Sequence, residues 1–312
     1  MKAVIFDKHA APDVLVFREV EKPVPNDNEV LVRIFDASVN ALDYRSIRMG
    51  IIPKKRIFGA DIAGIVETVG CNVHMFKPGD EVIGDVSNCG LGGFAEYVTV
   101  PERALVPKPA DISFEQAAAL PVAAITALQA LRNKGGIRPG QKVLVCGASG
   151  GVGTYALQLA KIFGADVTAV CSTKNVQQAY TLGADHVIDY KHENFTKNAS
   201  RYDLIAAVNG SYPLFAYKRV LEPGGILVIL GGPLYQILKA AVIGPFMSAG
   251  SRKIRLLAAK PNPADLELLV GFVKDGRLKP VIDRRYPLSD TAEAVRYLEK
   301  EHSGGKIVIT VI

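Results

Sequence analysis

Tryptophan is absent from the 312 residues, only five are histidine, and aromatic residues make up 7% of the chain. No stripe interleaves aromatic with basic side chains, as a nucleic-acid surface would. No run of Lys and Arg stands out either. The 37 basic and 31 acidic residues leave a net charge of +6, a mild excess that suits anionic ligands and does not argue for nucleic acid. The four cysteines, Cys71, Cys89, Cys146 and Cys171, are scattered and form no C-x-x-C pair. That excludes a disulfide scaffold and points to free thiols in a reducing compartment. The first residues, Met1 to Phe6, run straight into a strand-like segment without the flanks of a signal or transit peptide, so a cytoplasmic protein is expected. A membrane-length apolar run is also missing. The longest uncharged stretch, 143–160, is broken by Gly147, Gly150, Gly151 and Gly153, as a strand, a tight turn and a helix would be. With 49% hydrophobic and 22% charged residues the chain is not disordered, and its length suits about two domains.

What is present changes character along the chain. The first third reads as β-rich: strands are predicted over 29–34, 63–69 and 94–100, and over 76–84, where a Pro78-Gly79 turn leads into a strand. This spacing suggests a β barrel or folded sheet. Near Ser113 the pattern turns helical. Ser113-Phe114-Glu115-Gln116 reads as a capping start one residue short of ideal, before the Ala-rich segment 117–131, in which Pro121 marks a kink or a new helix start. From Lys142 onward strands (143–146, 166–170, 186–189, 204–208, 225–230) alternate with helices (154–163, 176–182), which predicts a parallel, doubly wound sheet. Helices over 265–275 and 290–300 and a strand over 306–311 close the chain.

Ala148-Ser149-Gly150-Gly151-Val152-Gly153 lies directly after a buried strand and before a helix, the setting of a dinucleotide-binding turn. Ala148 replaces the usual first glycine. Gly150 lets backbone approach a pyrophosphate, Gly153 lets helix and strand pack closely, and the helix start favours the phosphates. The same turn, read as Gly147-Ala148-Ser149-Gly150-Gly151, matches the G-x-S-x-G elbow of a serine hydrolase, for which His302 is the late histidine. Tyr235 and Lys239 have the spacing of a short-chain dehydrogenase pair, but their glycine turn comes too late in the chain, and one turn of an ordinary helix explains them. After the second strand of the alternating region, Ser172-Thr173-Lys174-Asn175 contains no carboxylate for a ribose diol. Two hydroxyls and a cation suit a 2′-phosphate, and Tyr190 can close over the adenosine end, so NADPH is expected over NADH.

Taken together, the chain resembles the medium-chain dehydrogenase/reductase superfamily, and within it the zinc-independent quinone oxidoreductases and alkenal/enone reductases. The resemblance rests on residues 1–4, 38–43 (Ser-Val-Asn-Ala-Leu-Asp), 58–64, 77–82, 92–97, 148–153, 182–185 and 304–306, in that order and spacing. It implies an α/β architecture: a GroES-like β-rich catalytic domain over 1–120, completed by 263–312, and a doubly wound parallel-sheet Rossmann domain over 121–262. It also implies that Asn40, Ala60-Asp61 and Pro121-Val122 stand where zinc-dependent relatives carry ligands. Asp61 alone keeps a ligand type, so no zinc is expected. Cys71-Asn72-Val73-His74 reads as loop.

By the same resemblance Asn40 lies beside the nicotinamide ribose and donates to an enolate oxygen, with Tyr44 a donor and Arg45 an electrostatic stabiliser. Asp43 reads as a turn or cap carboxylate. Val208-Asn209 and Leu230-Gly231-Gly232 match the loops that meet the cofactor, and Lys306 matches a position near it, with a solvated lysine the alternative. The apolar segment 233–250 suits a substrate cleft, a dimer contact or plain packing. Without a Lewis acid a simple ketone is a hard acceptor, whereas a quinone or an α,β-unsaturated carbonyl spreads the developing charge. The expectation is therefore an NADPH-dependent, zinc-free reductase of small-molecule quinones or enones, with no membrane and no specific nucleic-acid partner, compatible with a homodimer. The alternatives are an NADPH-binding or RNA-associated protein that kept the fold and lost turnover, and the hydrolase using Ser149.

Overall fold

In the first third, short apolar-rich segments fold into strands. The computed structural model describes all residues except 10–13, 249 and 302, so His302 lies outside the described residues. The chain divides into two units, Met1–Ile125 with Pro261–Ile312, and Thr126–Lys260.

In the first unit β1 (Lys2–Phe6) pairs antiparallel with β2 (Leu15–Glu19). The hub is β3 (Glu29–Val39), which runs past the predicted 29–34 because buried Ala37 and Val39 continue its apolar face. After β3 come α1 (Ala41–Arg48), β4 (Asp61–Val69), β5 (Glu81–Asp85), β6 (Tyr97–Pro101) and β7 (Leu105–Pro107). Ser113 caps α2 (Phe114–Ala118) with a complete capping box: the Gln116 amide donates to Ser113 Oγ at 3.2 Å, and the Ser113 amide donates to Gln116 Oε1 at 3.1 Å. The start is thus ideal, not one residue short, because the hydroxyl and the carboxamide stand three residues apart. Pro121 opens a new helix, α3 (Pro121–Leu128), where its missing N–H costs nothing. The helix continues into wider, π-type turns over Gln129–Gly135. The division between units falls inside α3 rather than before Pro121.

The second unit is a single sheet. Its strands are β8 (Lys142–Cys146), β9 (Asp166–Cys171), β10 (His186–Asp189), β11 (Tyr202–Ala207), β12 (Leu221–Ile229) and β13 (Lys253–Leu256). All neighbours are parallel, in the order β10-β9-β8-β11-β12-β13. Helices α4 (Gly151–Ile162), α5 (Val176–Thr181), α6 (Leu214–Arg219) and α7 (Leu234–Met247) connect them. Apart from their ends, β8 and β9 are buried throughout, as expected of strands covered on both faces. Tyr235 and Lys239 lie on α7. That helix leaves Leu234, Leu238, Val242 and Phe246 exposed, so packing among the described residues does not account for these four positions.

The chain then returns to the first unit through α8 (Pro263–Lys274), β14 (Ile282–Pro287), α9 (Thr291–Lys300) and β15 (Lys306–Thr310). β15 pairs antiparallel with β3, giving the order β14-β15-β3-β4-β5-β7, with β6 also on β3. Val32, Ile34, Phe58, Ile62, Phe94, Ile307 and Ile309 fill its core. Among the described residues no helix is long and apolar enough to cross a membrane.

Candidate functional site

Each unit carries one group of candidate residues. In the second unit they gather at the carboxyl ends of the strands. Gly147 turns the chain out of β8 at φ +83°, and the amides of Gly147 and Ala148 both donate to the Val170 carbonyl at 3.1 Å. A Cβ on Gly153 would stand 2.0 Å from the Gly147 carbonyl oxygen, so glycine alone lets α4 pack onto the turn. Gly150, the N-cap of α4, differs: a Cβ there would meet only the Gly147 oxygen, at 3.9 Å. The protein itself does not require glycine at this position. A bare backbone beside the α4 amides is what a phosphate ligand requires.

The amides of Val208 and Asn209 donate to the Cys146 carbonyl at 3.0 and 3.3 Å, which seats this loop beside the glycine turn. Gly210 donates to the Gly231 carbonyl at 3.1 Å, and Gly232 adopts φ +127° against it. The loops after β8, β11 and β12 therefore adjoin, and the strand order reverses between β8 and β11, where open α/β sheets bind ligands.

Ser172, Thr173 and Lys174 follow β9, and Tyr190 follows β10 with its amide donating to the Cys171 carbonyl at 3.0 Å. Ser172 is buried, and its Oγ accepts from Asn175 Nδ2 at 3.3 Å. Segment 172–175 itself holds no carboxylate, but the neighbouring strand brings one to it. Asp189, which pairs with Cys171 across β9 and β10, accepts from the Thr173 hydroxyl at 2.6 Å. The Thr173 hydroxyl, the Lys191 amide and the charges of His192 and Lys191 hold its carboxyl below the ordinary range. Asp189 was missed because it belongs to the third strand of the series. The signal was its place as the last residue of 186–189, beside the end of the second.

In the first unit the candidates gather around one carboxylate. Ser38 lies opposite Asp61 across β3 and β4, Asp61 opposite Asp85 across β4 and β5, and Val39 opposite Ile307 across β3 and β15. This register lines up Lys306, Asn40 with Ser38, Asp61 and Asp85 along one end of four adjacent strands. Asp61 is fully buried and Lys306 is 3% exposed. Asp61 Oδ2 accepts from Ser38 Oγ (2.6 Å), Asn40 Nδ2 (2.8 Å) and Lys306 Nζ (3.1 Å), while Oδ1 accepts from the Val122 amide (2.8 Å). Lys306 Nζ also donates to Asn40 Oδ1 at 2.7 Å and to the Val39 carbonyl at 3.2 Å. The ammonium is thus buried and fully hydrogen-bonded, and the solvated-lysine alternative is excluded.

Asn40 is the N-cap of α1, and its Nδ2 reaches the Ser38 carbonyl at 3.4 Å as well as Asp61. Both amide hydrogens are engaged, so donation to an enolate oxygen, as the resemblance implies, has no free N–H here. Asp43 is the cap carboxylate it was read as: it accepts from the amides of Asn40 (2.8 Å) and Gly59 (3.1 Å). Burial pushes its carboxyl up to about 7, against the lowering effect of those two amides. Burial and the charge of Asp61 push Asp85 up to about 6. Tyr44 and Arg45 lie on α1, with the guanidinium carbon 5.8 Å from the Tyr44 ring centre. Tyr44 is half-buried and packs on the core cluster with its ring. The network's hub was visible in the sequence only as a leftover metal-ligand type, and Ser38 had no signal beyond its strand. Cys71 is an exposed free thiol, and the His74 amide donates to Glu102, as suits loop residues. Ser149 stands in the glycine turn with no histidine bonded to it among the described residues.

Comparisons with known proteins identify the family of the chain. The family model described as "Alcohol dehydrogenase GroES-like domain" matches residues 26–110, and that described as "Zinc-binding dehydrogenase" matches 182–309. The chain is 36% identical to a chloroplast envelope quinone oxidoreductase homolog of Arabidopsis thaliana, over 93% of this chain and 92% of the relative. It is 34% identical to an NADPH-dependent alkenal/one oxidoreductase of the same plant, over 99% of this chain and 79% of that one. Among solved structures, the quinone oxidoreductase from Coxiella burnetii superposes with a TM-score of 0.90 at 29% identity, covering 100% of this chain and 99% of that one. With relatives at this identity over nearly its full length, the chain belongs to the medium-chain dehydrogenase/reductase superfamily.

Proposed function

We propose that this protein is an NADPH-dependent reductase of quinones or α,β-unsaturated carbonyl compounds that works without a catalytic zinc. The observation that carries the proposal is the state of Asp61. It is the one ligand-type side chain at the positions where zinc-dependent relatives bind metal, and it is saturated by Lys306, Asn40, Ser38 and the Val122 amide. Among the described residues no group of three His, Cys, Asp or Glu side chains is arranged to hold a metal ion. A zinc site needs about three N, S or O ligands and an open position, and these residues do not fit one.

The second unit fits a dinucleotide. The α4 amides and the bare backbone at Gly150 would hold its pyrophosphate, and Ser172, Thr173 and Lys174 would hold a 2′-phosphate. The loops 208–210 and 230–232 would meet its nicotinamide end, and Tyr190 would cover the adenosine. A bound dihydronicotinamide supplies a hydride to the conjugated carbon of the acceptor. The chain's own residues then have to stabilise the negative charge that builds on the acceptor oxygen and deliver a proton. Tyr44 is the proposed hydroxyl donor and Arg45 the proposed counter-charge, adjacent on α1. Conjugated acceptors are favoured because their charge is delocalised and two organic donors can serve in place of a Lewis acid. The names of the relatives, quinone oxidoreductase and alkenal/one oxidoreductase, support the same acceptor classes.

The test is NADPH oxidation by chelator-treated protein of measured metal content, with a quinone and an enone in parallel and NADH as control. Turnover with either acceptor at negligible zinc is expected, and the ratio of the two kcat/KM values selects the substrate class. Loss of turnover on metal removal, with recovery on adding zinc, would overturn the proposal.

A further inference from the structure

Lys306 is separated from Asn40 by 266 positions, yet its ammonium is 2.7 Å from the Asn40 carboxamide oxygen. A primary carboxamide has two hydrogens and two oxygen lone pairs. Both hydrogens of Asn40 point inward, one to Asp61 and one to the Ser38 carbonyl, and one lone pair takes Lys306. No N–H of the carboxamide is left to point at a ligand, and its oxygen is the atom that can still accept. The pattern is also polar: with the amide flipped, its N–H groups would face the ammonium and its oxygen would face the Asp61 carboxylate. Both contacts would then be repulsive. The buried ion pair of Lys306 and Asp61, at 3.1 Å, thus permits one orientation of this side chain.

We infer that Lys306 is a positioning residue that, together with Asp61, locks the Asn40 carboxamide so that it offers a bound ligand an acceptor and not a donor. The inference rests on the proposed reductase reading only for its kinetic arm. The ligand group that suits Asn40 is a hydroxyl or amide N–H, and protonation of the acceptor oxygen falls to other residues. A buried ion pair is in general a weak source of stability, and its use to fix an orientation is the better-attested one.

The test combines kinetics with a spectroscopic readout. Single variants N40A and K306M and the double variant N40A/K306M are compared by kcat/KM, since residues acting through one another are non-additive. Lys306→Met alone leaves Asp61 as an unpaired buried charge, so D61N/K306M, which removes both charges, is the folding control, assayed with and without N40A. The Asn40 side-chain amide resonances, assigned by their loss in N40A, are followed in 15N-labelled protein. Lys306→Met, or the neutral pair if the single variant does not fold, should lower kcat/KM at least tenfold in the Asn40 protein. In the N40A background it should lower kcat/KM less than twofold. The Asn40 amide signals should shift and lose their protection from solvent exchange. Equal losses in both backgrounds, or unchanged Asn40 resonances, would overturn the inference. If the unaltered protein transfers no hydride, the reductase reading fails on its own and the resonances alone decide the inference.

Discussion

Asp85 sits opposite Asp61 on the neighbouring strand, and among the described residues the ammonium at this buried end of the sheet is that of Lys306. Burial and the charge of Asp61 raise Asp85 from an ordinary 3.8 to about 6. The folded protein therefore binds this proton more tightly than the unfolded chain. The stability Asp85 contributes is fully present below its ordinary value and is lost as pH rises through about 6. Asp85→Asn keeps the acceptor for the Ser87 amide and never ionises. Its thermal stability should match the unaltered protein at about pH 3, below the ordinary value, and exceed it at about pH 8, by on the order of 2–3 kcal/mol. Melting curves across pH check this, and a variant no more stable at pH 8 would contradict it. Asp189 gives a second prediction. Its carboxylate, 2.6 Å from the Thr173 hydroxyl, repels a 2′-phosphate and can accept from a 2′-hydroxyl. Asp189→Asn should raise the NADPH-to-NADH ratio of kcat/KM several-fold, read from steady-state kinetics with each cofactor. An unchanged ratio would place the 2′-phosphate elsewhere.

The glycine turn separates ligand binding from folding within one element. Gly153 is required by packing, because its Cβ would meet the Gly147 oxygen at 2.0 Å, whereas Gly150 has room for a methyl group. Gly150→Ala should keep the melting temperature within a degree or two and weaken NADPH binding tenfold or more, measured by fluorescence titration. Gly153→Ala should lower both. The turn was legible because strand, glycines and helix are contiguous, and the same holds for the Ser113 cap and for Pro121 as a helix start. The end of the β15-β3-β4-β5 sheet was not legible. Its members, Lys306, Asn40, Asp61 and Asp85, come from segments far apart, and antiparallel register, which sets their alignment, leaves no local trace. Asp189 escaped notice for a related reason: parallel pairing sets it beside Cys171 although a whole helix separates them.

For the molecule as a whole, alternation of strands and helices was enough to foresee the doubly wound sheet, while the β-rich unit needed a resemblance to complete it from both ends of the chain. The proposed function assigns residues to each unit. One carries the glycine turn and its neighbouring loops; the other carries Asn40, Tyr44, Arg45 and the Lys306–Asp61 pair. The reaction proposed is hydride transfer to a conjugated acceptor without a metal. Its most direct test uses NADPH deuterated at nicotinamide C4, in each of the two stereochemical forms, with an enone acceptor and metal-depleted protein. Mass spectrometry and NMR of the product locate the deuterium. One form, and not the other, is expected to deliver deuterium to the β-carbon, while the α-hydrogen comes from water. Products free of deuterium from both forms, or transfer seen only after zinc is restored, would contradict it.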